Sequence, residues 1–259
     1  MSLDIILASP PEYCKNALLW GFPVAHMAYQ TCGRYLYRTS LPENLRCGLM
    51  LIANIKPDGD CSRERVTERI LQECVNRCFS GVIADFEPPC PFAGQLLPFL
   101  YTELKRRRLS FYASEWASAY VKDCNVILSS AITGGTLHQR IGDSIHAFGR
   151  DNIVLDYEIM SHDFLLPVKG GKGRKVSRKF VEELIDFHHV KPLFSAELCC
   201  NYFTYRNKQG LHFVLYDDAE SVVKKTELSM KLGISKAIIL YPETDVSVLN
   251  ALLRYTALK

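Results

Sequence analysis

Two carboxylates stand close together in the segment Gly81-Val-Ile-Ala-Asp-Phe-Glu87, at the end of a short apolar run typical of a buried strand. Because strand side chains alternate, Asp85 and Glu87 point to the same side, about 6–7 Å apart along the strand. Two acids in a partly dry site do not both ionise easily, so one keeps a proton and can act as a general acid. The alternative is an aspartate that caps a turn beside a solvated glutamate, and spacing alone does not separate the two.

Other polar and aromatic side chains follow the ends of further predicted strands, where they could line the same site. These candidates for ligand contact are Trp116, Tyr157, Glu158, His162, Asp163 and Tyr216. For Trp116 the alternative is packing at the rim of the fold. Asp217, beside Tyr216, has a capping role on the following helix as its alternative.

The elements that would position these residues alternate along the chain. Short apolar runs occur at residues 48–53, 81–84, 109–113, 125–128, 152–155 and 237–240. Between them lie segments of helical period, such as 63–78 and 137–148. Short, fully apolar strands separated by helices indicate a parallel sheet that is covered on both faces. With the less regular region 18–25, the chain offers about eight βα units, the number in a (β/α)8 barrel.

The alternation is interrupted between the seventh and eighth units. A helix over 176–188 precedes two β-type runs, 197–204 and 211–216, and Asn207-Lys-Gln-Gly210 between them has hairpin chemistry. We therefore predict an α/β fold, a (β/α)8 TIM barrel forming one domain over residues 1–259, with a small α+β insertion at 170–216. An open doubly wound sheet is the alternative.

The composition of the chain limits the classes of binding partner that we expect. The chain has 259 residues, 48% of them hydrophobic, and a net charge of +3, which gives no reason to expect nucleic acid. Its basic runs at 105–108 and 169–179 contain none of the interleaved aromatic residues that single-strand binders use. The apolar runs are shorter than the ~20 residues that span a bilayer. We expect no membrane partner, and the first residues lack the features of a signal peptide.

The ten cysteines include no CxxC pair and none of the spacings of a zinc site. We expect reduced, mostly buried thiols and no bound metal. Free thiols without a secretion signal favour a cytoplasmic protein, or one deposited on a spore from the cytoplasm.

Three segments carry a family resemblance. Ser80-Gly-Val-Ile-Ala-Asp-Phe-Glu87 resembles the Asp-Gly-Ile-Asp-Ile-Asp-Trp-Glu signature of family 18 glycoside hydrolases. Residues 211–234 are similar to that family's last helix unit, especially in its branch of spore-germination and cortex-peptidoglycan hydrolases. Residues 153–167, ending in His162-Asp-Phe-Leu-Leu-Pro167, are similar to its seventh strand. Together the resemblance spans about residues 45 to 255.

The resemblance implies a glycoside hydrolase acting on N-acetylhexosamine-containing glycans, such as chitin or peptidoglycan. Glu87 would protonate the glycosidic oxygen, and the N-acetyl group of the substrate would be the nucleophile. Asp85 would orient the acetamide and stabilise the oxazolinium ion that forms. No cofactor or metal is implied.

The sequence also departs from the family. Ser80 and Ile83 replace its two earlier aspartates, and residues 128–131 lack the tyrosine that holds the acetamide. The floor tryptophan aligns with Leu240, or with Tyr241 if the register shifts by one. Three hypotheses therefore stay open: a hydrolase, an inactive barrel that binds glycan or a protein partner, and an enzyme of changed chemistry on sugars without an acetamide.

Overall fold

The computed structural model describes residues 2–42, 45–54, 61–88, 90–167 and 173–256. The strands are β1 (Asp4–Ser9), β2 (Val24–Cys32), β3 (Tyr35–Arg38), β4 (Leu49–Asn54), β5 (Gly81–Asp85), β6 (Ser110–Ser114), β7 (Asn125–Ser129), β8 (Ile153–Asp156), β9 (Ser161–Leu166), β10 (Arg174–Lys175), β11 (Leu193–Ser195), β12 (Cys200–Asn207), β13 (Gly210–Tyr216) and β14 (Lys236–Leu240). The α-helices are α1 (Cys14–Leu18), α2 (Arg63–Arg77), α3 (Ala93–Arg106), α4 (Glu115–Ser118), α5 (Leu137–Phe148), α6 (Arg178–His188), α7 (Ala219–Lys231) and α8 (Val246–Thr256).

Within these residues, eight parallel strands close into a ring in the order β1-β14-β8-β7-β6-β5-β4-β2. The ring is closed because β1 pairs with both β14 and β2. The predicted (β/α)8 barrel is confirmed. Its first strand is residues 4–9, whereas the region 18–25, which the sequence pattern counts as a unit, contains the end of α1 and the start of β2. The short β3 adds to β2 as an antiparallel appendage outside the ring.

The barrel interior is filled by aliphatic side chains from alternate strand positions. They form one buried cluster: Ile6, Ala8, Ala25, Leu49, Leu51, Ile83, Val154 and Ile238. The intervening residues point outward and form two larger clusters under the surrounding helices. Both faces of each strand are thus dry, which explains why the strands read as continuous apolar runs.

A second, five-stranded sheet has the order β10-β9-β13-β12-β11. It begins at Ser161, earlier than the predicted boundary at 170, because β9 pairs with β13 rather than with the barrel. The predicted hairpin is confirmed, with Asn207 opposite Gly210. Residues 170–172 of the predicted insertion lie outside the described residues.

The two faces of this sheet have different neighbours. One face packs against α6, through Val181 and Val214. The other carries Met160, Phe164 and Leu215, and Ala131, which follows β7, packs against it. The second face therefore lies against the rim of the barrel.

Candidate functional site

The carboxyl ends of the eight barrel strands surround a cavity of about 170 Å³. Its polar lining comes from Asp85 at the end of β5, Ser114 at the end of β6 and Asp156 at the end of β8. The rest of the lining is apolar and includes Ile83, one inward position below Asp85, and Leu240 of β14. Catalytic groups in barrels of this type come from these strand ends, so this mouth is the candidate active site.

Asp85 points into the mouth because it lies two residues beyond the inward-facing Ile83. Burial raises the pKa of its carboxyl group, and the nearby charge of Glu87 raises it further. Ile83 is fully buried in the barrel interior, and its aliphatic side chain has no group that could hydrogen-bond to Asp85. Asp85 thus stands without the neighbouring aspartate that the family signature contains.

Glu87 lies just beyond the end of β5, with its side chain exposed. Its backbone is held on both sides by Asn54, the last residue of β4. The Glu87 N–H donates to Asn54 Oδ1 at 2.7 Å, and Asn54 Nδ2 donates to the Glu87 carbonyl oxygen at 3.2 Å. This amide clamp fixes the point from which the Glu87 side chain leaves the backbone.

Asp156 is a residue that sequence reasoning missed. It ends β8, opposite Ser129 of β7 and Ile238 of β14, and it lines the same cavity as Asp85. Burial raises its pKa to about 7, and the charges of Glu158 and Asp85 add to the increase. The signal was present in the sequence, because Asp156-Tyr-Glu158 repeats the Asp-x-Glu spacing of Asp85-Phe-Glu87 at the end of another apolar strand.

Glu158 is the fourth carboxylate at this mouth. It is exposed, and it accepts a hydrogen bond from Ser129 Oγ at 2.8 Å. Ser129 also accepts the N–H of Ala131, in the stretch where the family has its tyrosine. The Ser129 hydroxyl is thus bonded to Glu158, and the polar side chains that line the cavity are those of Asp85, Ser114 and Asp156.

The predicted contacts of Tyr157 and Tyr241 are not supported by their positions. Tyr157 is 1% exposed and lies outside the barrel wall, with its hydroxyl 3.0 Å from Ser229 Oγ of α7. Tyr241 packs edge-on against Tyr13 and on the outer core, while Leu240 faces the cavity. The alternation of strand side chains excludes both tyrosines from the floor, which is aliphatic.

Trp116 lies on α4, directly after β6. Its ring packs edge-on against Tyr120, with centroids 5.5 Å apart, and on the core under the helices. The adjacent Glu115 forms an ion pair with Arg140. This arrangement matches the rim-packing alternative more closely than contact with a ligand in the cavity.

His162, Asp163 and Tyr216 all belong to the second sheet. Asp163 is 5% exposed on the α6 side, where it accepts hydrogen bonds from Tyr205 and His212. A larger cavity of about 760 Å³ lies there, away from the barrel mouth.

Tyr216 points to the same side and packs against Phe203, under Arg178. His162 lies on the opposite, barrel-facing side, with Nδ1 3.2 Å from Met160 Sδ. Of the three, His162 is the one that faces the rim of the barrel.

Three further expectations concern metals, thiols and membrane-spanning helices. In the described ranges, no group of three or more histidine, cysteine, aspartate or glutamate residues is arranged to hold a metal ion. Six of the ten cysteines are buried, namely Cys14, Cys74, Cys90, Cys124, Cys199 and Cys200. No helix of the described residues is long and apolar enough to cross a membrane.

Solved structures share this fold over nearly the whole chain. The spore cortex-lytic enzyme SleL of Bacillus megaterium QM B1551 matches 98% of this chain and 75% of its own, with a TM-score of 0.74 and 15% identity. A chitinase from Chromobacterium violaceum ATCC 12472 matches 100% of both chains, with a TM-score of 0.72 and 15% identity. A family 18 N-acetylglucosaminidase from Paenibacillus barengoltzii matches 98% of this chain and 99% of its own, with a TM-score of 0.73 and 13% identity.

No family model and no curated protein sequence matches the chain. The likeness to solved structures, at 15% identity and below, confirms the predicted family 18-like barrel as a fold. It leaves the chemistry to be argued from the residues at the mouth.

Proposed function

We propose that the protein is a glycoside hydrolase that acts on N-acetylhexosamine-containing glycans of the chitin or peptidoglycan type. The observation that carries this proposal is the position of Asp85 and Glu87. Both stand at the mouth of the barrel, at the end of its fourth strand, on a fold shared with enzymes described as chitinases and spore cortex-lytic enzymes.

In the proposed reaction, Glu87 protonates the glycosidic oxygen while the carbonyl oxygen of the substrate's own acetamide forms a bond to C1. The bond between C1 and the leaving oxygen breaks, and a cyclic oxazolinium ion results. The Glu87 carboxylate then takes a proton from water, whose oxygen opens the ring at C1 and restores the acetamide. Asp85 stabilises the positive charge of the ring and orients the acetamide.

The residues at the mouth also predict slow turnover. Ile83 offers no hydrogen bond to Asp85, and Leu240 gives the sugar floor no aromatic face. A lost positioning donor typically lowers the rate of an enzyme by ~10²–10³. We therefore expect activity well below that of an enzyme with the full family signature.

The test is hydrolysis of aryl N-acetyl-chitooligosaccharides and muropeptides by the wild-type chain and by Glu87→Gln. We expect Glu87→Gln to reduce the rate by at least ~10²-fold, because proton transfer to the leaving oxygen is lost. Glu68→Gln, at an exposed position on α2, is the matched control and should keep full activity. Equal background rates for wild type and Glu87→Gln would refute the hydrolase and leave a binding protein.

Aryl glucosides distinguish the third hypothesis. They lack the acetamide that supplies the nucleophile, so the proposed mechanism expects no turnover with them. Hydrolysis of glucosides that depends on Glu87 would show that the carboxylates work on a different class of sugar.

A further inference from the structure

The cavity below Asp85 is large enough to hold the acetamido group of a sugar. Its volume of about 170 Å³ corresponds to about five or six waters at ~30 Å³ each. One part of its wall is aliphatic, from Leu51, Ile83 and Ile127, and the two carboxyl groups of Asp85 and Asp156 lie in the remainder. A group with a methyl end and both a hydrogen-bond donor and an acceptor matches this lining.

The surroundings of Asp156 favour its neutral form. Asp85 of β5 and Glu158, two residues further along its own segment, are the carboxylates whose charges act on it. Lys225 of α7 is a cation that acts in the opposite direction. Its ammonium group, however, is committed to Asp217, at 2.5 Å. A neutral carboxylic acid is a donor as well as an acceptor, unlike the carboxylate.

We propose that Asp156 takes the place of the absent tyrosine: its carboxylic O–H donates to the carbonyl oxygen of the substrate's acetamido group, and Asp85 accepts the acetamide N–H. The acetamide methyl then packs on Ile83 and Ile127. This assignment rests on the proposed function, since it names the group that holds the substituent used in that reaction. It gives the role of acetamide clamp to the seventh barrel strand instead of the sixth.

The proposal has a definite pH dependence. Asp156 can donate while it is protonated, below its pKa of about 7. Above that pH its carboxylate repels the carbonyl oxygen, so affinity for an N-acetylated sugar should fall by up to about tenfold per pH unit. An asparagine at this position keeps an N–H donor at every pH.

The experiment measures binding of tri-N-acetylchitotriose by calorimetry between pH 5.5 and 8.5. All proteins carry Glu87→Gln, so that the ligand is not consumed. To this background we add Asp156→Asn, Asp156→Leu, or the control Asp143→Asn on the exposed side of α5. Cellotriose, which lacks acetamido groups, is the comparison ligand, and circular dichroism checks that each variant is folded.

We expect the background protein to bind chitotriose better at pH 6 than at pH 8 and to bind cellotriose weakly. Asp156→Asn should remove most of the pH dependence, and Asp156→Leu should weaken binding about tenfold or more at pH 6. An unchanged pH profile in Asp156→Asn, unchanged affinity in Asp156→Leu, or no binding by the background protein would each overturn the proposal.

The hydrolysis test of the proposed function and the binding test of the Asp156 proposal can fail independently of each other. Chitotriose binding that depends on Asp156, in a wild-type chain without hydrolysis, would uphold the acetamide clamp and refute the enzyme. Hydrolysis that depends on Glu87, with a pH profile of binding that Asp156→Asn does not alter, would do the reverse.

Discussion

At the scale of single residues, Asp156 shows what a barrel interior does to an acid. Its carboxyl group lies among aliphatic side chains and close to other carboxylates, so the charged form loses hydration and gains repulsion. Burial is the larger cause of its raised pKa, and Glu158 and Asp85 follow. The same combination acts on Asp85. The mouth therefore favours the neutral forms of these two aspartates.

The raised pKa of Asp156 predicts how stability changes with pH. Between the ordinary pKa of 3.8 and the folded-state value of about 7, the folded chain binds more protons at this site than the unfolded chain. The contribution of Asp156 to the free energy of unfolding therefore falls as pH rises through this window, and stays at its low value above it. The full difference has an upper bound of roughly 4 kcal/mol.

Asp156→Asn should accordingly be more stable than wild type at pH 8, by on the order of 1–3 kcal/mol once solvent access at the mouth is considered. At pH 4 the two proteins should differ little. Urea unfolding at both pH values measures this, with Asp143→Asn as the control for an exposed acid. A stability difference that does not change between pH 4 and pH 8 would contradict the assignment.

At the scale of elements, the junction between β13 and α7 ties the second sheet to the barrel. Asp217 is fully buried; it pairs with Lys225 of α7 and accepts hydrogen bonds from Ser221 Oγ and the Met160 N–H. The cap of α7 is its neighbour Asp218, which accepts the N–H of Ser221 in a capping box. The capping role considered for Asp217 thus belongs to Asp218.

These two adjacent aspartates should differ in their effect on stability. Asp217→Ala leaves Lys225 buried without its partner and should cost about 3–5 kcal/mol. Asp218→Ala loses a helix cap and should cost about 1 kcal/mol. Chemical unfolding of both variants at pH 7 provides the comparison, and equal losses would show that the buried pair does not hold this junction.

At the scale of the whole molecule, closure of the barrel depends on β1. This strand pairs in parallel with β14 on one side and β2 on the other, and its Leu7 is fully buried. The ring brings the ends of β5 and β8 to one mouth, although about seventy residues separate them along the chain. The net charge of +3 gives no hint that four carboxylates meet there.

Removal of residues 1–9 should therefore abolish cooperative folding, because it opens two strand edges and removes part of the interior. We expect the shortened chain to lose the sharp thermal transition of the full chain, as followed by circular dichroism, and to associate in size-exclusion chromatography. A monomer with a cooperative transition at the full chain's midpoint would show that β1 is dispensable.

The local pattern of the sequence predicted most of the fold and part of the candidate site. Apolar runs and helical spacing predicted the barrel, and the segment ending in Glu87 predicted the position of Asp85, because both signals lie within a few consecutive residues. The sequence pattern did not predict strand β1. Its short apolar run becomes a strand only through pairing with β2 and β14, which are distant in sequence.

Which side chains face the cavity depends on the register and pairing of strands that are distant in sequence. A shift of one residue reverses a strand side chain, and this separates Asp156 from Tyr157 and Leu240 from Tyr241. Asp163 and Tyr216 face α6 because of the way in which the second sheet packs on the rim of the barrel. The meeting of Asp85 with Asp156 follows from closure of the ring, which no local pattern contains.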